Sequence, residues 1–377
     1  MASELRTVLV VGTGLIGTSL ALALRRQGVR VLLTDRDQGA VRLARELGAG
    51  EEWRPARQGT AESGTVQREE VPGERADLAV IAVPPGHVAT ELLDLQRQDA
   101  AACYTDVASV KAEPIEQAAR LGCDLTTYVA SHPLAGRERS GPGAARAELF
   151  LGRPWALCPT KESSPEARAT VLRLVELCGA NPVEVDAAEH DRAVAVVSHA
   201  PHVAASAVAA RLADAPDVAL GLAGQGVRDV TRIAGSDPGL WLGILSGNAA
   251  PVAEVLEAVS RDLAEAASAL RAMAGGDGTA RQDITQLLKR GVAGHGRIPG
   301  KHGGPAPAYV VVQVIIGDRP GQLAKLFQVC DEVGVNVEDV RLEHAPGLPL
   351  GVAEVAVQPE AAPVLTRALH ERGWQVP

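Results

Sequence analysis

Leu5-Arg6-Thr7-Val8-Leu9-Val10-Val11-Gly12-Thr13-Gly14-Leu15-Ile16-Gly17 is the stretch that decides the fold of this chain. Leu5 to Val11 is an apolar, Val-rich run of strand length, and a Gly-x-Gly-x-x-Gly turn follows at once. Thr18 to Gln27 then reads as a helix, with Leu20, Leu22 and Leu24 among alanines, and Gly28 stops it. Val29 to Thr34 is a second strand and ends at Asp35. Strand, glycine turn, helix, strand and acid in this order predict a βαβ unit that cradles a dinucleotide. Gly12 permits the tight turn, Gly14 lets the backbone approach a pyrophosphate, and Gly17 lets helix and strand pack closely. Leu15 and Ile16 lie in the turn, ahead of the helix whose free N–H groups face the phosphates, and are cofactor-binding candidates with the glycines. Asp35 can accept both ribose hydroxyls of NAD and would repel a 2′-phosphate. Arg36 beside it is a residue that accommodates one, so NADP stays open.

The pattern continues outward. Gln38 to Leu47 reads as a helix, and the polar, Gly-rich stretch from Gly48 to Gly73 has no assignment. Ala76 to Val83 is a third strand, nearly all apolar, as a parallel strand covered on both faces should be. It runs into Pro84-Pro85-Gly86, which places Val83 and Pro84 near the cofactor. Cys103 to Val107 is another strand, ending in Asp106-Val107-Ala108-Ser109-Val110-Lys111, and a helix from Glu113 to Leu121 follows. Ser109 then stands at a strand's carboxyl end, either as a helix cap or as a hydroxyl that orients a neighbour. Thr126 to Ala130 delivers Ser131 and His132 to the same sheet edge as the glycines, ahead of Pro133-Leu134-Ala135-Gly136-Arg137-Glu138. An imidazole there, with an ordinary pKa near ~6.5, is suited to general base chemistry at neutral pH. Arg153 to Pro159 and Asn181 to Val185 read as further strands around a helix from Pro165 to Cys178.

The character then changes. Ala187 to Asp214 is Ala-rich, free of glycine and of lysine, and carries one proline in Ser198-His199-Ala200-Pro201-His202, where a kink is expected. Two histidines three apart share a helix side, but no Cys and no carboxylate motif accompanies them, so no metal is expected. A glycine loop (Gly221 to Gly226) leads to Val227–Ile233 with Arg228 and Arg232, then Gly235-Ser236-Asp237-Pro238 and Trp241, and Pro251 to Met273 is an amphipathic helix. An arginine near a loop can grip a carboxylate through its planar fork. Gly275 to Ala308 is rich in Gly, Pro, Arg and Lys and ends as a linker. Tyr309 to Ile316, a helix from Leu323 to Val333, Val335 to His344, Leu350 to Val357 and a helix from Ala361 to Arg372 form a small βαββα unit, with room for a short strand after Gly373.

Composition bounds the rest. At 377 residues, 46% of them hydrophobic, two or three domains can bury proper cores. Aromatics are only 2%, so those cores are built from Ala, Val and Leu. A net charge of −9 without a basic stripe argues against nucleic acid. The five cysteines are scattered with no Cys-x-x-Cys pair, which suits a reducing compartment. The chain enters a strand pattern directly and shows no apolar run of about 20 residues, so the expectation is a cytoplasmic protein without a membrane partner.

Assembled in order, these motifs resemble the prephenate dehydrogenase family over nearly the whole chain. They are the Gly12-Gly14-Gly17 turn, Asp106 to Lys111 with its Ser-Val-Lys, the His132-Pro-Leu-Ala-Gly turn, Ser198 to His202, and Thr231-Arg232-Ile233-Ala234 leading through Ser236-Asp237-Pro238 to Trp241. Asp318-Arg319-Pro320-Gly321 and Gly334-Val335-Asn336 resemble an ACT domain, a module that binds small effectors. The resemblance implies an α/β fold in three parts: a Rossmann-type parallel sheet (1–180), an all-helical substrate and dimerisation domain (181–290), and, after a linker (291–307), a ferredoxin-like α+β regulatory domain (308–377). It implies NAD-linked oxidative decarboxylation of prephenate to 4-hydroxyphenylpyruvate on the way to tyrosine, in a homodimer. It aligns His132 with the catalytic histidine and Ser109 with the serine that hydrogen-bonds it. Arg232 aligns with the arginine that binds substrate carboxylate, and Ser198, His202 and Trp241 fall by the substrate. An amino-acid effector such as tyrosine would sit by Asp318, Gly321 and Asn336.

Three rivals remain at this point. Arogenate dehydrogenase runs the same reaction on the transaminated substrate; Arg137 leans toward the keto acid and Glu138 weakens that argument. A β-hydroxyacid dehydrogenase would need a helical lysine that Ala187 to Asp214 lacks. A non-catalytic sensor of NAD and an amino acid is disfavoured by the presence of Ser109, His132 and Arg232 together.

Overall fold

Thr7–Val11 forms strand β1, and the chain turns at Gly12 into helix α1, Leu15–Arg26. Gly12 adopts φ +100°, and a Cβ there would lie 2.3 Å from the Ala82 carbonyl oxygen. A Cβ on Gly17 would lie 1.9 Å from the Gly12 carbonyl oxygen. Both obstacles are backbone atoms that cannot rotate away, so the turn and the helix reach this closeness only with glycine. The computed structural model describes residues 5–53, 75–136, 141–299, 309–344 and 349–377. Arg137, Glu138, most of the unassigned Gly48–Gly73 stretch and the Gly303–Ala308 tail lie outside the described residues. The chain divides into two compact units, one up to Val259 and one from Ser260 to Pro377.

In the first unit, β2 (Arg30–Thr34), α2 (Gln38–Glu46) and β3 (Glu51–Glu52) follow α1. Then come β4 (Ala76–Ile81), α3 (Val88–Arg97), β5 (Ala101–Asp106), α4 (Ala112–Leu121) and β6 (Tyr128–Pro133). The sheet is completed by β7 (Pro154–Cys158), α5 (Pro165–Leu177) and β8 (Asn181–Glu184). Its order is β3-β2-β1-β4-β5-β6-β7-β8. All neighbours are parallel except β6 and β7, which pair antiparallel. The expected parallel sheet is therefore present, and the order reverses beside β1, where such sheets open a crevice for a ligand. Alternation along β1 sends Val8 and Val10 into one core with Leu20, Leu24, Val171 and Leu174, and Leu9 and Val11 into the other with Leu92, Leu95 and Tyr128. Phe150 and Trp155, both fully buried, meet at 5.1 Å between ring centroids and fill a core otherwise made of small aliphatics.

The long apolar helix expected from Ala187 is interrupted. Helix α6 (Ala187–Val194) passes through a π turn (Ala195–His199) into α7 (Ala200–Ala210). Pro201 has no N–H to donate to the preceding turn, and the extra residue of a π turn absorbs that missing bond. The segment is long and apolar enough to cross a membrane by composition alone. It nonetheless carries Asp191, whose buried carboxylate accepts two backbone N–H groups at the start of α4. Helix α8 (Asp217–Gly221) and α9 (Gln225–Thr231) flank residues 222–224, the middle of the expected glycine loop, and a 3-10 turn (Arg232–Gly235) follows. Asp237 caps α10 (Pro238–Gly247) through Leu240 N–H at 2.8 Å, so the Ser-Asp-Pro break is a helix start. Helix α11 spans Ala249–Ala274.

The second unit corrects one expectation. Helix α12 runs from Arg281 to His295, inside the stretch read as polar linker and past the expected linker start at 291. Gly291 and Gly294 masked it in the sequence, while Ile284, Leu287 and Leu288 carry helical spacing. The small domain follows the expected order: β9 (Val310–Gly317), α13 (Gln322–Glu332), β10 (Asp339–His344), β11 (Leu350–Val357) and α14 (Ala362–Glu371). Its strands form an antiparallel sheet, β10-β11-β9, and Gln375 bridges Ile315 where a last short strand was expected. Strand β10 begins at Asp339 rather than Val335, with Glu338 N–H already donating to the Ala356 carbonyl of β11 at 2.9 Å just ahead of it.

Candidate active site

The cofactor cradle is built at the carboxyl ends of β1, β2 and β4. Gly12 N–H donates to the Thr34 carbonyl at 2.8 Å, which ties the turn to the end of β2. Asp35 is held from two sides: Thr13 N–H and Thr13 Oγ1 donate to its Oδ2 at 2.6 and 3.0 Å, and Asp37 N–H donates to its Oδ1 at 2.9 Å. A Cβ on Gly14 would meet nothing within 4 Å, so the space above the α1 N-terminus is open to a pyrophosphate, flanked by Leu15 and Ile16. Val83 is half-buried and Pro84 exposed, just beyond β4. Thr13, which aligns the acid, was not singled out in the sequence, although it sits inside the glycine motif. These residues fit a dinucleotide.

His132 stands near the end of β6, parallel to β5 and so on the same sheet edge. The residue before it is pinned from several directions. Ser131 Oγ donates to the Asp106 carbonyl at 2.7 Å and accepts from Thr105 Oγ1 and Trp155 Nε1, each at 3.0 Å. Its carbonyl accepts Lys111 Nζ at 2.6 Å. Lys111 also pairs with Asp106, and both side chains are 0% exposed. Asp106 is satisfied further by Ala108 N–H at 2.9 Å and Tyr128 O–H at 2.6 Å. Burial and the Asp106 carboxylate push the Tyr128 phenol well above its ordinary range, so it remains a donor.

The Nδ1 of His132 lies 2.9 Å from Nε2 of His190, and Nδ1 of His190 lies 2.8 Å from Asp191 Oδ1. Asp191 in turn accepts Lys111 N–H on Oδ1 at 2.8 Å and Ala112 N–H on Oδ2 at 2.9 Å, at the first turn of α4. Its backbone carbonyl accepts Asn248 Nδ2 at 2.7 Å, and the same amide reaches His199 Nδ1 at 3.0 Å. Neither His190 nor Asp191 nor Asn248 was read from the sequence. They are far from His132 along the chain, and adjacency on α6 gave no signal.

The family resemblance implied a hydrogen bond between Ser109 and His132. The structure puts Ser109, half-buried, in the loop after β5, and the partner it gives to Nδ1 is His190; no hydrogen bond of Ser109 is found among the described residues. His202 and Trp241 do come together: their rings stack at 3.5 Å with a 9° interplanar angle, and His199 meets the same indole edge-on at 6.1 Å. Ser198 and Arg232 are exposed, the latter on the 3-10 turn packed against α7. Burial, reinforced by His190, Lys111 and His199, pushes the His132 imidazole well below its ordinary pKa, so it is neutral at pH 7. Burial lowers His199 to about 4, against the opposing pull of Asp191, and lowers His202. No cluster of metal-ligating side chains exists among the described residues.

Two family models match this chain. Residues 20–184 match the prephenate dehydrogenase nucleotide-binding domain, and 186–289 match the prephenate dehydrogenase dimerization domain. The chain belongs to the prephenate dehydrogenase family. A probable prephenate dehydrogenase (NovF) of Streptomyces niveus is 41% identical over 375 residues, covering 98% of this chain and 99% of the relative. The crystal structure of the prephenate dehydrogenase of A. aeolicus, in complex with hydroxyphenyl propionate and NAD+, is 26% identical with a TM-score of 0.62 and covers 78% of this chain and 100% of that one. The Synechocystis arogenate dehydrogenase structure is also 26% identical, with a TM-score of 0.57, over 77% of this chain and 99% of that one. The family's cofactor is NAD, and the open space above Gly14 is compatible with a dinucleotide.

Proposed function

We propose that the chain oxidises prephenate with NAD, releasing carbon dioxide and 4-hydroxyphenylpyruvate, with His132 as the base. The observation that carries this reading is a neutral imidazole on the same sheet edge as the dinucleotide cradle, with its Nδ1 already engaged by the protein. The substrate ring bears a hydroxyl and a hydrogen on one carbon and a carboxylate on the opposite carbon. Nε2 of His132 takes the hydroxyl proton as the C–H bond gives up its electron pair. When bound, NAD supplies the acceptor for that hydride. Loss of the ring carboxylate as carbon dioxide leaves an aromatic ring, which drives the step forward. Arg232 is assigned to a substrate carboxylate, and Ser109, Ser198 and the His202–Trp241 stack to the substrate's surroundings; positioning is their contribution.

His132→Asn keeps the volume and removes the base. NADH formation from prephenate should fall about 10²- to 10⁴-fold with NAD affinity unchanged. Turnover at the native rate would refute the assignment. Running arogenate alongside prephenate decides between the two substrates. A clear preference for arogenate would retain the mechanism and replace the substrate.

In the C-terminal unit, a cleft of about 410 Å³ is lined by Asp318, Arg319, Pro320, Gly321, Leu342 and Gly351. We assign it to an amino-acid effector such as tyrosine, as an ACT domain would use it. Asp318 and Gly321 border it; Asn336, grouped with them in the sequence, instead donates to Glu338 at 2.7 Å. Tyrosine should alter prephenate turnover, and Asp318→Ala should abolish that effect while sparing the basal rate. Exposed Val197, Val218, Leu222 and Leu242 in the helical segments favour a homodimer that covers them, which sedimentation would report. The five free cysteines agree with the proposed cytoplasmic location.

A further inference from the structure

We infer that His190 and Asp191 are positioning residues that hold His132 in a single tautomer, with the proton on Nδ1 and a bare Nε2 turned to the reaction. This rests on the reading of His132 as the base. Asp191 is the fixed end of this chain of contacts. Its carboxylate can only accept, and it is fixed by two backbone N–H groups of α4, so it does not rotate away. The contact at 2.8 Å therefore requires a proton on Nδ1 of His190. Nε2 of His190 is then the ring atom left to accept, and in the inferred arrangement the 2.9 Å contact is made by the proton on Nδ1 of His132. Nε2 of His132 is left without a proton. The ring planes cross at 76° with centroids 5.1 Å apart, so the contact is edge-on and not a stack.

The order of the proton positions matters for turnover. In the opposite tautomer Nε2 carries a proton and cannot take another, so the histidine is inert as a base. In the arrangement inferred here, a proton arriving on Nε2 makes an imidazolium whose Nδ1–H points to His190, with the Asp191 carboxylate behind. That backing offsets the repulsion from Lys111, whose ammonium otherwise opposes a positive ring in this neighbourhood. The segment is built to deliver the pair. Asp186 caps α6 by accepting N–H groups of Ala188 and Glu189, and His190 N–H closes on the Asp186 carbonyl at 2.8 Å, which fixes where the helix turns toward β6.

The test uses the full chain labelled with ¹⁵N-histidine and read by two-bond ¹H–¹⁵N spectra at pH 7. His132, assigned by its loss in His132→Asn, should show a protonated Nδ1 and a bare Nε2. His190→Leu removes the acceptor, so the His132 signals should move to a mixture of tautomers. kcat should fall about tenfold or more while KM and NAD affinity stay within about twofold. His190→Gln, which restores an acceptor oxygen, should recover part of that loss. A native spectrum with the proton on Nε2 overturns the inference, as does a His190→Leu enzyme with native signals and native kcat. If the leucine variant does not fold, the native spectrum decides alone. The base assignment fails separately: it falls only if His132→Asn turns over normally, whatever the spectrum shows.

Discussion

Replacing Lys111 by methionine should damage stability and change the pH profile at once. The ammonium sits between Asp106 and the Ser131 carbonyl with no solvent exposure. Removing one member of a fully buried pair typically costs about 3–5 kcal/mol, since the remaining charge is left uncompensated. Asp106 would retain Ala108 N–H and Tyr128 O–H, and this partial compensation places the loss at the lower end, about 3 kcal/mol. For a unit of this size that is a fall in Tm of about 6–12 °C. The second consequence concerns His132, whose basicity Lys111 lowers. Without the ammonium, the imidazole binds a proton more readily, and the acid limb of kcat/KM moves to higher pH. Urea unfolding and a kcat/KM profile from pH 4 to 8 measure the two effects on the same preparation. Asp106→Asn in the Lys111→Met background should return part of the lost stability by removing the stranded charge. A loss below about 1 kcal/mol together with an unmoved acid limb would refute the reasoning, because the pair would then carry neither cost nor field.

Gly17→Ala drives a methyl into the Gly12 carbonyl and should cost about 1–3 kcal/mol in urea unfolding while weakening NAD at least about tenfold by fluorescence titration; native NAD affinity would mean that the turn is not the cradle. Asp35→Asn removes the charge that opposes a 2′-phosphate beside Arg36, so the ratio of kcat/KM for NADP to that for NAD should rise by about tenfold or more, as paired rate assays would report. Stability should decline as pH falls below the ordinary histidine range. His132, His199 and His202 all have folded pKa values below their unfolded ones, so the unfolded chain takes up protons first, and for His199 the decline continues until about 4. Urea midpoints at pH 7, 6 and 5 should show it, and His199→Gln should flatten the slope.

Much of the first unit was determined by the sequence alone. The glycine turn, the apolar runs of β1 and β4 and the acid after β2 obey local rules of sterics and periodicity, and those rules placed the sheet and the cofactor edge. The same rules put His132 on that edge, because a strand's direction and its length settle where its last residues emerge. The order of the α+β elements at the C-terminus followed equally from short periodic runs between glycines. Tertiary structure decided what no local pattern encodes. The π turn at Ala195–His199 was not signalled beyond Pro201, and α12 was hidden by Gly291 and Gly294, whose helical cost is offset by the residues around them. The partner of His132 came from 58 residues away, on a helix whose register against β6 is fixed by Asp191 accepting the first N–H groups of α4. Asn336 does not line the cleft bordered by Asp318 and Gly321, and it donates to Glu338 at 2.7 Å instead. Hydrogen-bond partners in a buried site are chosen by three-dimensional proximity and by the need to satisfy every donor and acceptor there, and a linear sequence carries neither.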